Sequence, residues 1–251
     1  EMVATLDATL RSQRAFVADA SHQLRTPLAA LRLRLDNLAR DASAEGREQI
    51  EATAAEVDRL SDLVDGLLAL ARADAGAPAP EPLDVRSAVD SRIALWSALA
   101  EERGIALRGE VVDAPAALAT PGRLEQVLDN LVANALDASP PEAAVTISAR
   151  PTGAWVEIHV VDEGKGMSAE EREHACDRFW RGAGSPAGGT GLGLAIVRRL
   201  VESDGGAVEL AEAAGGGLDA IVRLRAAVPP GDGGTRARRA QVSSGTGSGP
   251  A

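Results

Sequence analysis

The stretch Phe16-Val-Ala-Asp-Ala-Ser-His22-Gln-Leu-Arg-Thr-Pro27-Leu28 sits on a row of apolar residues seven apart: Leu10, Val17, Leu24, Leu31 and Leu38, with Leu28 and Leu35 flanking it. A seven-residue repeat is the spacing of a helix that packs lengthwise on another. After the polar break Asp41-Ala-Ser-Ala-Glu-Gly46 a second row follows, Ile50, Val57 and Val64, with Leu60 and Leu67 between. From Glu1 to Asp74 only Pro27, Gly46 and Gly66 interrupt the helical composition. Two such helices with a short connection predict an antiparallel hairpin. Each carries one apolar stripe, so two hairpins joined as a four-helix bundle bury both, and a homodimer is expected. Counted from Val17, His22 falls on the solvent-facing sixth heptad position. An exposed imidazole, with its ordinary pKa of about 6.5, is substantially neutral and nucleophilic. Pro27 has no N–H for the carbonyl of Gln23, which predicts a bend one turn past the histidine. Alone, such a histidine is ordinarily no more than part of a solvated surface.

Composition narrows the rest. The 251 residues are 45% hydrophobic and 25% charged, the proportions of a globular protein. With 2 Phe, 3 Trp and no Tyr, the core must be built from Leu, Val, Ile and Ala. Twenty-six basic against 37 acidic residues leave a net charge of −11, which argues against a nucleic-acid partner. Cys176 is the one cysteine and cannot form an internal disulfide, and 3 His make no structural zinc site. The longest uncharged run, Gly182 to Val197, is glycine-rich and too short for a bilayer, and no signal peptide opens the chain. A soluble protein of a reducing compartment is expected.

Residues 1–74 form the helical hairpin, and the Pro-, Gly- and Ala-rich residues 75–83 a linker. Residues 84–228 alternate in pattern. Helices are predicted over Val85 to Arg103, Pro121 to Ser139 and Thr190 to Asp204. Strands are predicted over Ile105 to Val111, Val145 to Arg150, Trp155 to Asp162, Ala207 to Leu210 and Leu218 to Leu224. That order gives an α/β sandwich. The fold class expected is therefore an α-helical hairpin, dimerised as a four-helix bundle, followed by an α/β sandwich domain. Residues 229–251 are rich in Pro, Gly, Ser, Thr and Arg, cannot offset their ordering entropy by burial, and are expected to be disordered.

Three features of the second domain carry chemistry. On the helix after Pro121, Asn130, Asn134 and Asp137 make a polar stripe beside the apolar face of Leu124, Val127, Leu128, Leu131 and Ala135. Amides there can hold a hydrated cation or phosphate-bound water, although the wet side of any amphipathic helix has this pattern. On the strand ending at Asp162, period two places that carboxylate on the face of Val156, Ile158 and Val160, with Gly164 and Gly166 following. Third, Gly188-Gly-Thr-Gly-Leu-Gly-Leu194 runs into a helix, where free backbone N–H groups can cradle an anion. No Gly-Lys-Ser/Thr follows, and no acidic residue closes a following strand, so neither a P-loop nor a dinucleotide fold fits. His159, opposite Asp162, is expected to be solvated, His174 to sit in a lid helix, and Cys176 to pack.

The string from Phe16 to Leu28 resembles the phosphoacceptor box of two-component sensor histidine kinases, with Ser21, His22, Leu24, Arg25, Thr26, Pro27 and Leu28 in place. The three features of the second domain resemble the ATP-binding domain shared by histidine kinases, gyrase-type topoisomerases, heat-shock chaperones and mismatch-repair ATPases. The resemblance covers about Glu1 to Val228. It implies ATP and Mg²⁺ as cofactors, with Asn134, helped by Asn130, holding the metal against the phosphates. Asp162 would accept from the adenine amine, and Gly164 and Gly166 would admit the base. Gly189, Gly191, Leu192 and Gly193 would shape the lid and present amides, and Arg178-Phe179-Trp180-Arg181 resembles the aromatic box that anchors it. His22 would then take the γ-phosphoryl group and pass it to an aspartate on a response-regulator receiver domain. Thr26 would position a water for dephosphorylating that partner.

The sequence departs from the family in two places, and a third position separates its branches. The family's usual carboxylate after the histidine is Gln23 here, which can orient the ring but cannot take its proton. Where many kinases have Lys or His, this chain has Asp137, placed either beside the hydrated Mg²⁺ or as a charge that weakens ATP binding. Where the hydrolases of the superfamily carry a water-activating Glu, this chain has Asn130, which leaves the γ-phosphate to another nucleophile. A kinase-fold scaffold that binds ATP without transfer is the alternative, and ATP hydrolysis the third. The fragment is expected to be cytoplasmic, with the full-length protein in the cell membrane through a missing N-terminal sensor portion.

Overall fold

The structure is a computed structural model that describes residues 24, 26–40, 42–74, 78–113, 116–182 and 189–227. Leu10, Val17, His22, Gln23, Gly188 and the tail 229–251 lie outside the described residues, as does the helix upstream of the bend expected at Pro27. The chain is helical over 26–40, here α1, and again over Ala44–Asp74, α2. The seam between them is made by Leu35, Ala54 and Val57, with Leu28 and Ile50 packed against it. Arg32 of α1 fastens it from outside through Asp58 of α2 at 3.0 Å. The seven-residue row of the first helix turns away from this seam, whereas Ile50 and Val57 of the second row lie in it. Leu24, Leu31 and Leu38 on α1, and Leu60 and Leu67 on α2, are all at least 40% exposed.

The second unit runs β1 (Glu81–Asp84), α3 (Val85–Glu102), β2 (Ala106–Val111), β3 (Ala116–Ala119), α4 (Arg123–Ala138), β4 (Ala144–Thr152), β5 (Trp155–Asp162), α5 (Ala169–His174), α6 (Gly193–Ser203), β6 (Ala207–Glu212) and β7 (Leu218–Arg225). Five strands form one mixed sheet in the order β2-β4-β5-β7-β6, with β2 parallel to β4 and the rest antiparallel. The connection across the parallel step carries a helix, α4, as geometry requires. Period two sets the faces. Val145 and Ile147 of β4, Val156, Ile158 and Val160 of β5, and Ala220, Val222 and Leu224 of β7 all join one core. Leu124, Leu128 and Leu131 of α4 and Ile196, Val197 and Leu200 of α6 complete it from the helical layer.

The boundaries differ from the sequence pattern for local reasons. α6 starts at Gly193 and not at Thr190, because Gly191 takes a left-handed φ of +69° that no helix can contain. The strands β1 and β3 pair as a separate two-stranded sheet, Glu81 opposite Ala119. β1 occupies the end of the stretch expected to be linker. Asp84 then caps α3 by accepting from the backbone N–H of Arg86 at 3.0 Å. His159 corrects an expectation: it is only 16% exposed, and its Nδ1 lies 3.0 Å from the Asp219 carboxylate. Long side chains of the neighbouring strands close over the open sheet face, with Arg223 reaching Glu157 at 2.8 Å and Glu209 at 2.7 Å. Cys176 is buried, as expected of a packing residue.

The hairpin rests on the second unit through α2. Leu70 belongs to the main core and Leu63 packs against it. A Cβ on Gly66 would lie 2.9 Å from Leu192 Cδ1 and 3.2 Å from Ile196 Cδ1, so the glycine lets α2 approach α6 closely.

Candidate functional site

α4 and α6 run antiparallel, and the amide stripe of α4 faces the first residue of α6. Asn130 is held by its Nδ2, which donates to the Gln126 carbonyl at 2.8 Å. That bond leaves its Oδ1 toward the glycine turn. A Cβ on Gly193 would lie 3.2 and 3.3 Å from the Asn134 amide atoms and 3.5 Å from Asn130 Oδ1. A side chain here would crowd the two asparagine amides. The helix begins here without a side-chain cap, so its first N–H groups remain available to an acceptor. The turn before it is fastened to the aromatic box. Phe179 N–H donates to the Gly191 carbonyl at 2.9 Å, and a Cβ on Gly191 would lie 2.7 Å from both Phe179 C and Trp180 O. Phe179 itself adopts φ +66°, a strained value for a residue with a side chain. Around Gly189 nothing lies within 4 Å of where a Cβ would be.

Asp162 closes the other end. It is 4% exposed at the end of β5, and its Oδ1 accepts from Gly164 N at 2.9 Å and Leu218 N at 3.2 Å. Among the described residues Oδ2 accepts from none. Burial pushes the carboxyl above its ordinary range, and the two backbone N–H bonds pull it partly back. The glycines around it are steric necessities. A Cβ on Gly164 would meet the Ala138 carbonyl oxygen at 2.5 Å, and one on Gly166, with φ +66°, would meet Gly217 O at 2.8 Å. Sequence inspection missed Gly217 and Leu218, which complete the floor. Gly217 has φ +86°, and a Cβ there would fall 2.0 Å from the Asp162 carbonyl oxygen. The run Gly215-Gly-Gly217 ahead of a strand was the available signal.

Other expected residues lie apart from this arrangement. Asp137 turns to α3, accepting from Arg103 Nη1 at 2.6 Å. The Leu192 side chain is 1% exposed in the core, so only its backbone can meet a ligand. Thr26 is exposed on α1.

The donor set suits a nucleotide with a phosphate-bridged cation. Among the described residues no group of three His, Cys, Asp or Glu could hold a metal alone. Neutral amide oxygens on α4 supply one or two ligands, as befits a Mg²⁺ ion that keeps its waters and phosphates. The free Oδ2 of a buried carboxylate suits an amine donor, and Gly164, Gly166 and Gly217 let the surrounding backbone pack closely around it.

Two protein families match the chain. Residues 119–228 match the histidine kinase-, DNA gyrase B- and HSP90-like ATPase family, and residues 12–76 match the His Kinase A (phospho-acceptor) domain family. The chain belongs to the two-component sensor histidine kinases. The chain is 36% identical to the sensor-like histidine kinase SenX3 of Mycobacterium tuberculosis over 229 residues, 86% of this chain and 55% of that protein. It is 35% identical over 232 residues to the virulence sensor protein BvgS of Bordetella bronchiseptica, covering 87% of the chain and 19% of that protein. Full-length ShkA, solved in complex with AMPPNP, superposes on 86% of this chain with a TM-score of 0.66 at 30% identity, and 46% of that chain is covered. The chain thus spans about half or less of the length of these relatives. Among its described residues no helix is long and apolar enough to cross a membrane.

Proposed function

We propose that this chain is the catalytic half of a sensor histidine kinase: it binds ATP with Mg²⁺, phosphorylates its own His22, and passes the phosphoryl group to a receiver-domain aspartate. The observation that carries this is the seating of Gly193 on the amides of Asn134 and Asn130, which joins the anion-binding helix end to the cation-binding stripe. Asp162 Oδ2 accepts from the adenine exocyclic amine. Asn134, with Asn130, orients the phosphates, and the first N–H groups of α6 receive phosphate oxygens. Mg²⁺ supplies charge neutralisation at the transferring phosphoryl group. Asn130 has no proton-accepting side chain, so no water is activated. A neutral ring nitrogen of His22 donates its lone pair to the γ-phosphorus in line, the bond to the ADP oxygen breaks, and the other ring nitrogen releases its proton to water. Gln23 orients the ring without accepting that proton, and Thr26 lies one turn further on.

Residues 1–74 serve as the dimerisation and phosphotransfer hairpin and 84–228 as the ATP-binding domain. The exposed row Leu24, Leu31, Leu38, Leu60 and Leu67 is the seam for a second copy, giving a homodimeric four-helix bundle. In the full-length protein the catalytic half stands on the cytoplasmic side of a membrane-anchored sensor. The site is tested by calorimetric titration with ATP and Mg²⁺. The expected result is that Asn134→Ala and Asp162→Asn each weaken binding by about tenfold or more, the worth of a charged or buried polar contact. Undiminished affinity in both variants would remove the proposed site.

A further inference from the structure

Asp204 is buried, and nothing proposed for ATP or His22 uses it. It occupies the C-cap of α6. On local grounds a carboxylate is misplaced there, because the C-terminal end of a helix repels negative charge and burial removes its hydration. Its side chain is nevertheless 3% exposed and fully engaged. Oδ1 takes Arg123 Nη1 at 2.7 Å and Thr120 Oγ1 at 2.7 Å, and Oδ2 takes the Thr120 backbone N–H at 2.9 Å. The Arg123 side chain is 9% exposed. Thr120 and Arg123 stand at the entry to α4. Thr120 Oγ1 also lies 3.3 Å from the Pro78 carbonyl, but its one proton goes to the nearer, charged acceptor.

The spacing gives the cluster a meaning beyond packing. Arg123 and Asn134 are eleven residues apart on α4, and Gly193 and Asp204 are eleven apart along α6. Eleven residues are about three helical turns of 3.6 residues, so each pair shares one face of its helix. The helices are antiparallel. Arg123 meets Asp204 at one end, and Asn134 meets Gly193 at the other. A helix is rigid along its length, so the contact at one end sets the register at the other.

We propose that Asp204 is a positioning residue for nucleotide binding: by clamping the end of α6 to Thr120 and Arg123, it holds Gly193 in register with Asn134 and Asn130. The proposal rests on the nucleotide site described above. A slip of α6 along α4 would move the glycine turn off the amides without touching Asp162 or the phosphoacceptor helix. Loss of the clamp therefore raises the KM for ATP more than it lowers kcat.

The test uses the full chain as wild type, Asp204→Ala, Asp204→Asn and Thr120→Val, with Val156→Ala as a control. Val156 is fully buried in β5, outside the α4–α6 contact. Three quantities are read: Tm, the ATP dependence of His22 phosphorylation, and hydrogen exchange of the first-turn amides of α6 without nucleotide. The expected result for Asp204→Ala is a KM raised roughly tenfold with kcat within about threefold, and faster exchange at Gly193 to Ala195. Asp204→Asn, which still accepts from Thr120, raises KM about threefold, as does Thr120→Val. If Asp204→Ala does not fold, those two variants decide. Unchanged KM and exchange in the folded variants would overturn the clamp. So would an equal rise of KM in Val156→Ala, since that marks a general effect of instability. A wild-type chain that binds no ATP would sink the nucleotide site, while the exchange measurement would still decide the clamp.

Discussion

At the scale of single residues, Asp162 carries a conflict that pH resolves. Its carboxyl titrates above the ordinary value of 3.8 because burial disfavours the charged form. A raised folded-state value means that this group favours folding most when protonated, and the contribution is lost as pH rises through that value. Asp162→Asn keeps an oxygen for Gly164 and Leu218 and never ionises. Its stability relative to wild type is therefore expected to increase from acid to neutral pH, read as the urea midpoint of each protein across that range. ATP affinity should fall in the same variant, so stability and binding move in opposite directions. A difference in midpoint that stays flat with pH would contradict the burial argument. Period two along β5 was enough to aim Asp162 inward, since Val156, Ile158 and Val160 fix the face. It could not reveal Gly217, whose role depends on β7 lying beside β5, nor the burial of His159, which comes from side chains on other strands.

At the scale of elements, the seven-residue row and its flanking leucines separate into two seams. The sequence pattern announced a hairpin, but not which leucines would face the second helix. Leu35 is buried against Ala54 and Val57, while Leu31 and Leu38 are exposed. Leu35→Ala is expected to cost about 2–5 kcal/mol, the range for a buried leucine, by thermal or urea unfolding. In the proposed homodimer, Leu31→Glu with Leu38→Glu should leave helicity intact and halve the mass seen by light scattering. Retention of the dimer mass in that double variant would place the seam elsewhere. β1 and β3 escaped the sequence pattern because four-residue strands of Pro, Leu and Ala carry no usable alternation. The boundary of α6 was legible only through Gly191, whose left-handed φ ends any helix that approaches it.

At the scale of the whole molecule, Gly66 joins the hairpin to the ATP-binding domain. The notch it forms over Leu192 and Ile196 lies one residue from the glycine turn on the asparagines. Gly66→Val overfills that contact, which typically costs about 1–3 kcal/mol in a packed core. Small-angle scattering should then give a larger radius of gyration with unchanged helix content, and an unchanged radius would mean the domains meet by other contacts. The same joint sets α6, which opens beside the glycine turn, on α2 of the hairpin. The net charge of −11 sets the remaining demand: a polyanion is held only where amides, helix N–H groups and a cation meet. The most direct test of the account is incubation with γ-labelled ATP and Mg²⁺, beside His22→Ala and Asn134→Ala. The expected result is label on the protein that is acid-labile, base-stable and absent from both variants. Nucleotide binding with no label on the wild type, or label that survives His22→Ala, would contradict it.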